Sequence, residues 1–400
     1  MEPTLVYWTS PTGSVHLAGR LATIGPAKIQ RFTYDSAWMT GAGVSLGEGL
    51  PLGTGPIMPP GGETEFGLFL DAGPDAWGRR VISRKLSRSP RSASEFLLAA
   101  ADHSRQGALR FAREPGGELV SDGGPEAIEF LSELRAEVEA FQADRDAPGE
   151  ITRLLRAGTR QGGFRPKAAV VDAEGRQWIA KFPSEMDTYD VETCEAAALY
   201  VAREAGLTVP RFRHLRVGPD KAILLVERFD RTEAGRLGYQ SMRTAARIGA
   251  YETIDYLMMA AVAGFHEGES GVLRIVALAA LNVCINNIDD HSRNVGFLQD
   301  REGRWSVAPA FDTVPYPREG EGTPIAEGEA QRSLEHILET DWGVKRPHVE
   351  HAVSRVAGAA SRLYSVAVEH FGMDAEAAAA AERRRLSVAT LPRAFRSGEG

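Results

Sequence analysis

Cysteine is scarce: the chain has two in 400 residues, Cys194 and Cys284. They lie far apart in apolar helical patterns. That excludes a disulfide framework, and both read as buried free thiols of a reducing compartment. Long apolar runs are also missing. None reaches the ~18 residues a membrane helix needs, so no membrane partner is expected. Met1-Glu2-Pro3-Thr4 shows no basic region followed by an apolar core, which argues against a signal peptide and for a cytoplasmic location. Positive charge is not in excess. A net charge of −8 speaks against binding nucleic acid through bulk charge. No internal repeat is visible. At 43% hydrophobic and 25% charged, the composition is that of a globular chain, long enough for two or three domains.

The first third reads as a β-rich domain. Leu5 to Trp8 and Val15 to Ala18 flank the turn Ser10-Pro11-Thr12-Gly13, a hairpin pattern. Ile29 to Tyr34 alternates like a half-buried strand. Residues 41–62 are crowded with Gly and Pro and read as loop. Phe66 to Leu86 is helical but interrupted at Gly73-Pro74, and Ser94 to Ala101 is a further helix. The division falls at 1–115 for this domain, 116–157 for a connecting helical segment, 158–230 for a β-rich lobe and 231–400 for a helical lobe. Residues 315–330, rich in Pro, Gly and Glu, are expected to be a mobile loop.

Chemistry begins at Gly158. Gly158 to Lys167 is a glycine-rich basic loop, with Gly162 and Gly163 at its centre, entering the strand Ala168 to Val171. It matches neither the Walker pattern nor G-x-G-x-x-G. Yet Arg153, Arg156, Arg160, Arg165, Lys167, Arg176 and Lys181 face only Asp172 and Glu174 in this stretch, a local basicity that suits phosphate. A second strand ends near Lys181. The helix Val191 to Ala205 follows, carrying Glu195 and closed by Gly206. The apolar strand Ala222 to Val226 runs into Glu227-Arg228-Phe229-Asp230. Here Glu227 and Phe229 could meet an adenine, and Asp230 could accept from ribose hydroxyls or cap a turn.

Behind the apolar run Val272 to Ile285 stands Asn286-Asn287-Ile288-Asp289-Asp290-His291-Ser292-Arg293-Asn294, with Asp312 eighteen residues after Asn294. An Asp, an Asn five residues on and a distant Asp after an aromatic follow the order of polar groups in a protein kinase. Asp289 would accept the hydroxyl proton, while Asn294 and Asp312 would hold Mg²⁺ on ATP phosphates. Lys181 would be the phosphate cation, held by Glu195, although a solvated strand-edge lysine is the ordinary alternative. The usual His before the Asp is missing. His291 follows it instead, as a brace, a phosphate contact or an orienter of Asp289. A zinc site built on Asp289, Asp290 and His291 lacks a second His at ligand spacing. Asp290 reads as a bystander capping a turn. A β-rich lobe followed by a helical one is a frame in which nucleotides bind well.

Taken together, Phe164-Arg165-Pro166-Lys167, Trp178 to Ser184, Val226 to Arg231, Asp289 to Asn294 and Ala308 to Asp312 resemble the HipA-like serine/threonine kinases of type II toxin–antitoxin systems. Phe66 to Asp71 with Gly73-Pro74-Asp75, and Gly107 to Phe111, look like that family's N-terminal domain. The resemblance implies an α+β, protein-kinase-like two-lobed fold preceded by a small β-rich N-terminal subdomain. It also implies a base at Asp289, Mg²⁺ at Asn294 and Asp312, and ATP phosphates at Lys181. It further implies a protein substrate such as an aminoacyl-tRNA synthetase and a small helix-turn-helix antitoxin, with DNA reached only through that partner. The family's regulatory loop serine is absent, which leaves Thr159 as the loop's one hydroxyl and possible autophosphorylation site. Two alternatives stand beside this expectation: a small-molecule phosphotransferase, and a non-catalytic kinase-like module that binds a DNA-binding antitoxin.

Overall fold

The computed structural model describes residues 3–41, 43–90, 92–114, 119, 124–143, 165–249, 252–327 and 332–388. Contacts divide the chain into two units. Unit 1 is Met1–Glu185 with Val226–Ala250 and Phe297–Trp305; unit 2 is Met186–Leu225, Tyr251–Gly296 and Ser306–Gly400. The linear division at residues 115, 157 and 230 therefore does not coincide with the contact units, because the chain returns twice to unit 1.

Unit 1 begins with β1 (Thr4–Thr9), β2 (Val15–Ile24) and β3 (Ile29–Tyr34). The Ser10–Gly13 turn closes β1 onto β2 antiparallel, with a register shift between Val6 and Tyr7. Along β3 the even positions Gln30, Phe32 and Tyr34 are buried, as alternation requires. Next come α1 (Ser36–Thr40), α2 (Gly67–Asp71), α3 (Ala76–Lys85) and α4 (Ala93–Ala99). Gly73-Pro74 separates α2 from α3, and Asp75 caps α3 by accepting from the Gly78 amide at 2.6 Å. β4 (Leu109–Ala112) completes a sheet in the order β3-β2-β1-β4. Its core is aromatic: Phe69 packs on Phe32, Phe66 and Phe111 with centroids 5.5 to 6.0 Å apart. Each such ring removes enough apolar surface to contribute about 2–3 kcal/mol.

The chain continues through β5 (Glu126–Ala127) and α5 (Leu131–Ala143), whose Leu134, Val138 and Phe141 face inward. β6 (Lys167–Val171) and β7 (Gln177–Lys181) form an antiparallel hairpin, and β5 adds parallel to β6. This short β5 carries too few residues to show a period.

Unit 2 opens with α6 (Val191–Glu204). Its Asp190 cap accepts from the Thr193 amide, and its end is a Schellman turn. Gly206, at φ +85°, donates to Arg203, and Leu207 donates to Ala202. β8 (Phe212–Gly218) and β9 (Lys221–Glu227) pair, and Ala222 to Val226 are all buried. In unit 1, β10 (Gly238–Ser241) and α7 (Met242–Ala245) follow, against the expectation of helix throughout this region. In unit 2, α8 (Tyr256–Glu267) and α9 (Glu269–Cys284) pack together, Gly268 turning the chain between them. β11 (Gly296–Gln299) and β12 (Trp305–Val307) flank a turn closed by Asp300. The helices α10 (Leu334–Glu339), α11 (Arg346–Ala360), α12 (Leu363–Glu369) and α13 (Ala375–Val388) end the described chain. The sequence from His348 to Phe371 keeps a helical pattern throughout, yet the chain forms two helices there, broken at Ser361-Arg362. Cys194 and Cys284 are buried and free, as composition suggested. Among the described residues, no helix is long and apolar enough to cross a membrane.

Candidate active site

The end of α9 builds the site. Asn286 takes φ +54°, the left-handed conformation in which Asn is better tolerated than most residues. Its amide donates to Val283 and that of Asn287 donates to Asn282, the turn a glycine usually makes. The Asn286 side chain then donates to the carbonyls of Tyr316 at 2.7 Å and Arg318 at 2.9 Å. The loop that leaves α9 is therefore fastened to the 316–318 segment from its first residue.

The two adjacent aspartates diverge. Asp290 is buried, and its carboxylate accepts from the Tyr256 hydroxyl at 2.5 Å, the Thr323 amide at 2.7 Å and Arg332 Nη2 at 2.5 Å. The Thr323 hydroxyl donates to the Asp290 carbonyl at 2.8 Å. Asn282 donates to Tyr256 Oη, Asn287 donates to Asn282 Oδ1, and Arg332 also donates to the Asn287 carbonyl. Asp290 is thus the buried anchor of the loop rather than a bystander, because all three of its donors come from distant parts of unit 2. Within the 315–330 stretch read as a mobile loop, Tyr316, Arg318 and Thr323 are bonded to Asn286 and Asp290, and 328–330 lie outside the described residues.

Asp289 points the other way, with its side chain 59% exposed. Its amide donates to Asn287 Oδ1, and its carbonyl accepts from Asn294 Nδ2 at 2.7 Å. His291 Nε2 lies 3.8 Å from Asp289 Oδ1. Partial burial pushes the Asp289 carboxyl above its ordinary range. His291 pulls it down, Asp312 and Asp290 push it up, and Arg318 pulls it down. Asp312 is therefore close enough to be felt. It too sits in left-handed backbone, at φ +52°, and its carbonyl accepts from Asn287 Nδ2 at 3.4 Å. The structure brings Asp289, His291, Asn294 and Asp312 onto one loop cluster of unit 2.

The remaining expected residues are placed as follows. Glu195 is buried in α6 of unit 2. In unit 1, Lys181 is half-buried at the end of β7, directly across from Lys167 in the hairpin register. Lys167 is buried against Asp75, the cap of α3, at 3.2 Å, and Arg176 pairs with Asp172 and Glu174 in the hairpin turn, so these two members of the basic stretch have structural partners. Glu227 and Phe229 are half-buried. Asp230 is corrected. It is buried, bonded by Arg228 at 2.7 Å, Arg231 at 2.9 Å and the Gly107 amide at 2.6 Å, and so is a structural anion instead of a ribose acceptor. Gly162, Gly163 and Thr159 lie outside the described residues.

The donor set suits a hard cation that keeps other oxygens. Among the described residues, no three His, Cys, Asp or Glu side chains gather into a metal cluster. Asn294 and Asp312 would therefore hold Mg²⁺ only with phosphate and water completing the shell, which is the habit of that ion.

The elements and this loop define a mixed α/β protein of kinase-like fold. A family model described as the HipA-like C-terminal domain matches residues 159–363, more than half of the chain. The chain belongs to the HipA-like family. No curated protein matches it. Its fold is shared with HipA of Shewanella oneidensis MR-1, solved with HipB and operator DNA. That comparison has a TM-score of 0.69 and 16% identity, and covers 95% of each chain. A proinflammatory kinase of Helicobacter pylori, CtkA, is similar over 56% of this chain and 88% of its own, with 14% identity and a TM-score of 0.44.

Proposed function

We propose that the chain is an ATP- and Mg²⁺-dependent serine/threonine protein kinase acting as the toxin of a type II toxin–antitoxin system. The observation that carries this reading is the division of labour at Asp289-Asp290. A buried carboxylate fixes the loop, so that an exposed one stands beside Asn294 and Asp312.

Phosphoryl transfer asks mainly for positioning and charge neutralisation. Asp289 accepts the proton of a substrate hydroxyl as that oxygen attacks the γ-phosphorus in line, and the bond from that phosphorus to the β,γ-bridging oxygen breaks to release ADP. Partial burial, with Asp312 and Asp290 nearby, pushes the Asp289 carboxyl above the ordinary aspartate range, the direction that strengthens a base. His291 steadies the carboxylate. Asn294 and Asp312 would hold Mg²⁺, which supplies neutralisation of phosphate charge when bound. Within unit 1, Lys181 is proposed to take a phosphate oxygen, and Glu227 and Phe229 to meet the base. The 16%-identical Shewanella protein was solved with HipB and operator DNA, which supports a small DNA-binding antitoxin as the partner here. The protein substrate is proposed to be a translation component such as an aminoacyl-tRNA synthetase.

The test is transfer of labelled γ-phosphate from Mg-ATP into host lysate. A labelled protein band lost in Asp289→Ala and in Asp312→Ala is expected, and full transfer by either variant would refute the site. Labelling of a metabolite with no protein labelled would replace the protein kinase with a small-molecule phosphotransferase. ATP bound without any transfer would leave a binding module.

A further inference from the structure

Beside the loop, unit 2 forms a half-open cavity of about 680 Å³. This falls in the range of small-molecule sites, ≈ 300–1,000 Å³. Its floor is apolar, built from Leu207, Leu273, Leu278, Val295, Val307 and Ala310. Its polar lining is one-sided. Arg274, His348, His351 and Arg355 contribute to it and no Asp or Glu does, in a chain where acids outnumber Lys and Arg by 54 to 46. Two of the four already have a carboxylate partner outside the lining: Arg274 with Glu267 at 3.1 Å and His348 with Glu269 at 2.6 Å. The other two sit four residues apart on α11, hence on one face, and are exposed. Arg355 reaches over Gly206 at the end of α6. The missing Cβ there gives the guanidinium its place, since a Cβ would come within 2.1 Å of Nη2. Among the described residues, neither Arg355 nor His351 has a side-chain hydrogen bond or ion pair.

From this geometry we infer that the cavity is a binding site for an amphipathic monoanion, an apolar body ending in a carboxylate. The body fills the floor, and the carboxylate takes the Arg355 guanidinium, with His351 beside it. A planar guanidinium with no other partner matches a carboxylate in two parallel hydrogen bonds. The site is separate from the proposed phosphate chemistry, yet it shares walls with it. Asn294 lines the cavity, as does Ala310, two residues before Asp312. A bound molecule would therefore restrain both segments that carry the candidate Mg²⁺ ligands.

The test uses decanoate, below its micelle-forming concentration, and its neutral analogue decanamide, titrated into the full chain by calorimetry. One saturable site for decanoate is expected, at least tenfold weaker for decanamide and for Arg355→Gln. Loss of binding is expected in Ala352→Phe, which fills the cavity from α11. Hydrogen exchange should slow at 294–296 and 307–310 on binding, a readout independent of any enzymatic activity. Circular dichroism and melting check that each variant folds; if Ala352→Phe fails, Ala277→Leu from α9 takes its place. The inference is overturned if decanoate does not saturate, if Arg355→Gln and the cavity-filling variant both bind normally, or if decanamide binds as well as decanoate.

Discussion

Replacing Asp290 with Ala should destabilise the protein heavily, while replacing its neighbour Asp289 should not. Asp290 is buried and accepts three hydrogen bonds, one of them from Arg332, whose side chain is only 16% exposed. Removing one partner of a buried pair strands the other charge, at a cost of about 3–5 kcal/mol. The Tyr256 hydroxyl and Thr323 amide lose an acceptor as well, but their contributions overlap with the same network and do not add fully. For a unit of this size about 1 kcal/mol moves the melting midpoint by about 2–4 °C, so a fall of roughly 6–20 °C is expected. Asp289 offers the contrast. Its side chain is 59% exposed, its near charge is His291 at 3.8 Å, and its charged form is disfavoured by partial burial and by Asp312. Its replacement by Ala should stay within about 0.5 kcal/mol of the natural chain and should abolish transfer. Thermal and urea melts of the two variants, followed by circular dichroism, make the comparison. Equal loss in both variants, or an Asp290→Ala chain as stable as the natural one, would refute the assignment of anchor and base.

Unit 1 carries its own tests. Asp230 and Asp102 are held below the ordinary carboxylate range. Burial opposes ionisation at both, but Arg228 and Arg231 beside Asp230, and Arg236, Arg105 and Arg110 beside Asp102, outweigh it. The unfolded chain thus binds protons more readily, near pH 3.9. These groups stabilise the fold above that pH, and the contribution is lost as pH falls through it toward the folded values. The urea midpoint should drop between about pH 5 and 3, and less steeply in Asp230→Asn; an unchanged slope would remove Asp230 from the account. Gly107→Ala should cost more than about 1 kcal/mol in a urea melt. Gly107 has φ +78°, a Cβ would lie 3.0 Å from Tyr239, and its amide serves Asp230. Tyr34→Phe should cost about 1–3 kcal/mol by the same assay, because the Leu46 amide loses its buried acceptor.

Most of the fold was legible where a period or a stop signal ran long enough. The β1–β2 hairpin, the alternation of β3 and the Gly206 end of α6 all follow from side-chain order and turn chemistry. The short pieces did not. β5 and β10 have two and four residues and owe their existence to strands they pair with. The break at Ser361-Arg362 carries no Pro or Gly to announce it. For the site, the kinase-like order of polar groups picked out Asp289, Asn294 and Asp312, which the structure brings to one loop cluster although the β11–β12 hairpin separates Asn294 from Asp312. It was silent on burial. Asp289 and Asp290 are the same residue type side by side, and only Tyr256, Thr323 and Arg332, all distant in sequence, decide which one is inside. The same blindness made Lys167 and Asp230 look like ligand contacts when Asp75, Arg228 and Arg231 were waiting for them.

That contrast bears on how the loop works. A base on a free loop would lose orientational precision with every backbone fluctuation, and a small misplacement is expensive in a positioning-dominated reaction. Here the chain places a second aspartate immediately after the proposed base and drives it inward. The two side chains then leave the backbone in opposite directions, and any motion that carries Asp289 away must pull Asp290 from three donors. Asn286 and Asp312, both left-handed, make the turns on either side tight enough for Asn287 to donate to both Asn282 and the Asp312 carbonyl. One buried amide therefore ties the end of α9 to the segment that carries the second candidate Mg²⁺ ligand. Loosening it by Asn287→Ala should leave Asp289 and Asp312 chemically intact yet separate their motions. The expected result is a fall in phosphate transfer larger than the fall in melting temperature would predict, with faster hydrogen exchange at 289–294. Transfer that declines only in step with stability would show that Asn287 supports the fold and does not position the site.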